Sequence, residues 1–124
     1  MADARRSLGQ AAEAAAIAYL TGAGLRVMDR NVRFALGEID VVCRDEDVWV
    51  FVEVKCRHAR WGDAPSAAVA WQKQRRLTRL AQLYLKWRGL HGVRCRFDVV
   101  AVTVADDGSQ RVRHLADAFD AFPT

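Results

Sequence analysis

Asp40, Glu53 and Lys55 are the residues of this 124-residue chain whose types and spacing suit catalysis. Glu53 and Lys55 sit two apart in residues 48–56, a run rich in β-branched and aromatic side chains that reads as a strand. Side chains two apart on a strand share a face, so Trp49, Phe51, Glu53 and Lys55 lie together. Residues 37–44 alternate as a preceding strand, with Ile39, Val41 and Cys43 on one side and Glu38, Asp40 and Val42 on the other. Between the strands, Asp45-Glu46-Asp47 forms a polar turn. With Glu46 and Asp47 as its two loop residues, Asp45 pairs with Val48 and Asp40 falls opposite Glu53, with Cβ atoms ~5 Å apart. Carboxylates that close repel each other unless a cation or a proton lies between them. Oxygen ligands of this kind suit Mg²⁺ or Mn²⁺. Lys55 would then orient an attacking water or stabilise negative charge on a phosphate, and a divalent ion would lower the pKa of the water it binds. The chemistry those parts describe is phosphodiester hydrolysis. The competing expectation is a plain salt bridge on the open side of an antiparallel sheet. Trp49 and Phe51 on the same side argue that this face is covered.

The elements that must position these groups follow from pattern. Residues 9–20 are alanine-rich and read as a helix, stopped by Gly22 and Gly24. Gly9, Glu13, Ala16, Ile17 and Leu20 form its stripe, which places a glutamate on an apolar face. Residues 25–32 read as a short strand, 58–66 as a loop and 66–70 as a helical turn. A longer helix at 71–86 has Leu77, Leu80, Ala81 and Tyr84 as its buried stripe. Residues 93–104 and 111–115 read as the last strands, separated by a turn at Asp107-Gly108. The order α-β-β-β-α-β-β indicates an α/β fold with a central mixed sheet flanked by helices. One domain spans 1–124, with 1–8 and 117–124 expected as flexible ends.

Composition narrows the class. The formal charge of +4 is mildly basic and compatible with a polyanionic partner. Cys43, Cys56 and Cys95 are odd in number and lack paired spacing, which disfavours a zinc site or a disulfide framework. Reduced thiols and no signal-peptide core at the start point to the cytoplasm. No stretch approaches the ~20 apolar residues of a membrane span. Gly-rich phosphate loops, HExxH, GxSxG and a Cys-His nucleophile pair are all missing.

Four runs carry a resemblance: Gly37-Glu38-Ile39-Asp40, Val50-Phe51-Val52-Glu53-Val54-Lys55, Lys73-Gln74-Arg75-Arg76-Leu77 and Arg96-Phe97-Asp98-Val99-Val100. Together they resemble the YraN family of small bacterial proteins, which is similar to archaeal Holliday-junction resolvases and to the PD-(D/E)XK, or restriction-endonuclease-like, nucleases. The likeness runs from about residue 5 to 104. It implies a restriction-endonuclease-like α/β core, Asp40 and Glu53 as ligands of Mg²⁺ or Mn²⁺, and Lys55 as the catalytic lysine. It further implies the Val54 carbonyl as a metal ligand and Glu13 as the first-helix glutamate of the resolvase-like branch. Where the family often has Thr-Pro before the Lys-Gln-Arg-Arg run, this chain has Ala70-Trp71, losing an N-cap and a helix-starting proline.

Lys73 extends the inward stripe of the second helix towards the site. Arg75, Arg76 and Arg79 flank that stripe, and Arg57 and Arg60 follow Lys55, so a basic border for phosphates is expected around the acids. The first expectation is therefore a DNA endonuclease, acting at branched or damaged DNA. The second is a nucleic-acid-binding module with little or no cleavage of its own. Resolvase-like enzymes often work as dimers, which makes a homodimer an expectation of the resemblance.

Overall fold

The computed structural model describes residues 2–61 and 70–121. The helical turn expected at 66–70 falls almost wholly outside them. The elements are α1 (Ala2–Gly22), β1 (Arg26–Phe34), β2 (Gly37–Asp45), β3 (Val48–His58), a single 3-10 turn (Ala59–Trp61), α2 (Trp71–Trp87), β4 (Cys95–Val104) and β5 (Gln110–Phe119). Both helices close in the same way, because a left-handed glycine lets the chain fold back on the last turn. At the end of α1, Gly24 (φ +95°) and Leu25 donate to the Thr21 and Leu20 carbonyls at 3.1 and 3.0 Å. At the end of α2, Gly89 (φ +69°) and Leu90 donate to Lys86 and Leu85 at 3.0 and 2.8 Å. The start of α2 carries no such device: Ala70 precedes it without a side-chain cap.

The five strands lie in sequence order. β1, β2 and β3 form an antiparallel meander, β4 joins β3 in parallel, and β5 closes the edge antiparallel to β4. The parallel step needs a long crossover, and α2 lies within it. Alternation along β3 then sorts the core. Val50 and Val52 pack with Val41, Cys43, Val100 and Val102 against Ala12, Ala16 and Leu20 of α1. Trp49 and Phe51 pack on the opposite side with Leu77, Leu80, Ala81 and Tyr84 of α2. The face bearing Glu53 and Lys55 is thus covered, as its aromatics required. This is the expected α/β layering of a mixed sheet between helices, compatible with a restriction-endonuclease-like fold.

A buried acid ties the far side of β4. Asp98 is almost wholly buried. It sits where the β4–β5 register shifts, and residues 116–118 of β5 bulge past it. Asp117 takes a left-handed φ of +53° there, and its main-chain N–H donates to Asp98 Oδ1 at 2.9 Å. Arg96 Nε donates to the same oxygen at 3.0 Å, and its Nη1 reaches Asp45 at 2.9 Å. His114 Nε2 meets Asp98 Oδ2 at 2.8 Å. Both carboxylate oxygens are therefore occupied, as a buried charge demands. Removing one member of such a set strands the others. Asp98→Ala is expected to destabilise the fold by about 3 kcal/mol, read as a lower urea midpoint. A loss below about 1 kcal/mol would show that Arg96 and His114 find water instead.

Candidate metal centre

The β2–β3 hairpin has the register expected from a two-residue turn at Glu46 and Asp47. Asp45 pairs with Val48, and the ladder runs to Val41 with Val52. Glu46 adopts a φ of +55° at the first loop position, where hairpin turns require the left-handed region. Beyond Val41 the ladder stops. Asp40 and Glu53 are the next two positions, at the mouth where β2 leaves β3.

Asp40 does not simply stand opposite Glu53. Its Oδ2 accepts the main-chain N–H of Val54 at 2.8 Å, so the carboxylate has swung across onto β3. The cause lies one strand further out. Asp29 pairs with Val42, and Val32 pairs with Ile39. Asp29 meets Tyr84 of α2, and Val42, Val32 and Ile39 all pack in the cluster formed with α2. Three residues apart, these should face opposite ways on regular strands. Both strands therefore change face between the two pairs. Asn31 sits at the change, at the β1 position opposite Asp40, with a φ of +52°. Asparagine tolerates that conformation better than most side chains. The expectation that Ile39 shares a side with Val41 and Cys43 is corrected here, since Ile39 crosses to the α2 side.

The change of face brings acids from three elements to one place. In the amide orientation that satisfies its neighbours, Asn31 donates to Glu13 Oε1 at 2.7 Å and to Glu38 Oε1 at 2.8 Å. Asn31 thus ties α1 to β2 beside Asp40. Sequence reading passed over it; the only signal it offered was an asparagine inside a strand pattern. Burial and the charge of Glu38 raise the Glu13 carboxyl above its usual range, against the pull of Arg30 and Asn31. Asp40 is pushed much further, to about 7. Burial is the largest cause, then the charge of Glu53; the Val54 N–H opposes them, while Glu13 and a hydrogen bond with Glu53 add to them. Of the two strand acids, Asp40 is the one whose proton is held above the usual carboxylate range.

Cations close the site from the α2 side. Glu53 is buried and forms an ion pair with Lys73, whose stem is half exposed. Lys55 lies on the same face of β3. Burial and the nearby Lys73 lower its pKa, with Arg57 acting in the same sense and Glu53 against. Arg60, expected at the basic border, instead faces Asp106 at 3.7 Å. Arg75, Arg76 and Arg79 lie on exposed positions of α2. The site thus gathers Glu13, Asp40, Glu53, Lys55 and Lys73, with Arg57 nearby.

The donor set fits a hard divalent cation. A cation at Asp40 and Glu53 would relieve the repulsion that raises Asp40, and Mg²⁺ characteristically takes one or two carboxylates and keeps several waters. Among the described residues no three His, Cys, Asp or Glu side chains converge as a preformed cage. Glu13 faces Asn31 beside the pair.

A family model described as "Uncharacterised protein family UPF0102" matches residues 12–102. The chain is 50% identical over 116 residues to a UPF0102 protein of Symbiobacterium thermophilum, covering 94% of this chain and 98% of that one. It is 43% identical to a UPF0102 protein of Pelotomaculum thermopropionicum, covering 96% and 100%, and 42% identical to one of Rhodococcus jostii, covering 91% and 96%.

The raised Asp40 pKa fixes a pH dependence. The folded form holds this proton between the ordinary value of 3.8 and about 7. Its contribution to stability is complete below the lower value and lost as pH rises through the upper one. In EDTA, Asp40→Asn should therefore gain on the wild type between pH 5 and 8, by an amount of order 2 kcal/mol. Adding Mn²⁺ at pH 8 should raise the melting temperature of the wild type and leave Asp40→Asn unmoved. Parallel melting curves for the two proteins across that range would refute the assignment.

Proposed function

This chain belongs to UPF0102, the YraN family, and from that premise we propose that it is a metal-dependent endonuclease hydrolysing DNA phosphodiester bonds, with branched or damaged DNA as its target. One observation carries the reading. Two carboxyl groups, Asp40 and Glu53, are held together at the open end of a hairpin, where burial first and their mutual repulsion second push Asp40 to about 7. A fold gains nothing from that repulsion by itself. A divalent cation supplies the compensation, and when bound it also acidifies water and polarises a phosphate.

The residues divide the work as follows. Asp40 and Glu53 would hold the cation, with the Val54 carbonyl and Glu13 as further donors. The Val54 N–H fixes the Asp40 carboxylate so that its other oxygen keeps a defined direction. Lys55, beside Glu53 on the covered face, holds the attacking water or the charge that grows on the phosphoryl oxygens. Phe51, two residues before Glu53 on that face, is buried against α2 and helps keep bulk water from Glu53, which strengthens the charge interactions of that carboxylate.

A second reading, a nucleic-acid-binding module without cleavage, draws on Lys73. Its ammonium pairs with Glu53 and neutralises that charge without a metal. In the nuclease reading Lys73 leaves Glu53 for a phosphate when substrate and cation arrive.

Linear, flap and four-way-junction DNA with Mg²⁺ or Mn²⁺ separate the two. The wild type should cut at least one of them, and Lys55→Ala should lower the rate by about a hundredfold or more with an unchanged circular-dichroism spectrum. Undiminished cutting by Lys55→Ala removes its role. Binding to all three without metal-dependent cutting selects the second reading.

A further inference from the structure

The outer face of α2 has a character the carboxylate site does not use. The helix carries five Lys or Arg residues and not one Asp or Glu. Its apolar stripe is spent on the sheet, yet Trp71 is 54% exposed and Leu83 40%. Leu36, from the β1–β2 turn, is 40% exposed beside them. These residues border two open cavities of about 320 and 310 Å³ that share Leu36 and Arg79. Trp71 and Arg75 line the first, Leu83 and Lys86 the second, and among the described residues neither has an acidic wall. The Arg75 guanidinium lies 4.9 Å from the centre of the Trp71 ring.

A solvated basic helix has no need of a partly exposed indole and two partly exposed leucines on its surface. Charge selects a polyanion for this groove, and the indole selects a planar group. Single-stranded nucleic acid offers both within one nucleotide: a base to stack on the ring and a phosphate for the guanidinium. A duplex keeps its base faces inside the stack and presents phosphates, sugars and base edges instead. We propose that this groove binds single-stranded DNA, with Trp71 stacking on a base and Arg75, Arg79 and Lys86 following the backbone. The choice of DNA rests on the nuclease reading above. The groove and the carboxylate pair are joined through α2 itself, since Lys73, two residues from Trp71, reaches Glu53. The substrate class is then DNA with an unpaired segment next to the bond to be cut.

Fluorescence anisotropy in EDTA tests the surface without cleavage, using a labelled oligothymidine of about 20 nucleotides and a duplex of equal length. The wild type should bind the single strand more tightly. Trp71→Ala and Trp71→Leu should each weaken single-strand binding about tenfold and leave duplex binding within roughly twofold, whereas Trp71→Phe should keep most of it. Arg75→Ala with Arg79→Ala should weaken both forms and flatten the salt dependence by about one to two phosphate contacts. Equal wild-type affinity for the two forms overturns the proposal, as does a folded Trp71→Leu protein that binds like the wild type. The two readings fail separately. Selective single-strand binding without metal-dependent cutting sinks only the nuclease, and cutting that is indifferent to Trp71 sinks only the groove.

Discussion

Two carboxyl groups forced together in a poorly solvated place form the constraint around which this molecule is arranged. Asp40 and Glu53 come from adjacent strands; β4 and the packed core hold Glu53 on β3, and the Val54 N–H holds Asp40 against it. Burial, and after it the charge of Glu53, raises the Asp40 carboxyl to about 7. Everything near them answers that charge. A main-chain N–H from β3 takes one oxygen, Lys73 takes Glu53 from the side, and Lys55 adds a second ammonium on the same face.

The two helices serve this site from opposite sides of the sheet. α1 delivers Glu13, which Asn31 fastens to β2. α2 delivers Lys73 and covers the aromatics under Glu53. The sheet lets both arrive at one point because β1 and β2 change face at Asn31 and Asp40. A regular sheet would confine the acids of one strand to one helix layer. The left-handed asparagine turns two layers into one site.

The same chain also buries an acid whose oxygens are fully paired. Asp98 has a main-chain N–H, a guanidinium and an imidazole on its two oxygens. It holds the β5 bulge and leaves no capacity for a ligand. Asp40 has one main-chain donor and a carboxyl neighbour. The two buried acids thus differ in how far their oxygens are satisfied by hydrogen-bond donors.

Much of this was legible without coordinates. Period-two alternation and the polar turn at 45–47 were enough to set the β2–β3 register, since a hairpin of known loop length permits only one. The apolar stripe of α2 and the aromatics beside Glu53 told that this face is covered. Trp71 at a helix start, where the related family often has proline, was visible as a departure. Its place on a groove with Leu36 was not, because Leu36 lies 35 positions away in the chain. Nor could alternation foresee the change of face at Asn31, which arises from a single left-handed residue that a repeating pattern averages over. The sequence by itself determined which acids and lysines belong to adjacent strands, because hairpin register is a local property of turn and period. Only the tertiary structure decided that Asp40 swings onto the Val54 N–H, that Asn31 gathers Glu13 and Glu38, and that Lys73 claims Glu53, because each of these contacts joins elements whose meeting depends on how helices pack on a twisted sheet.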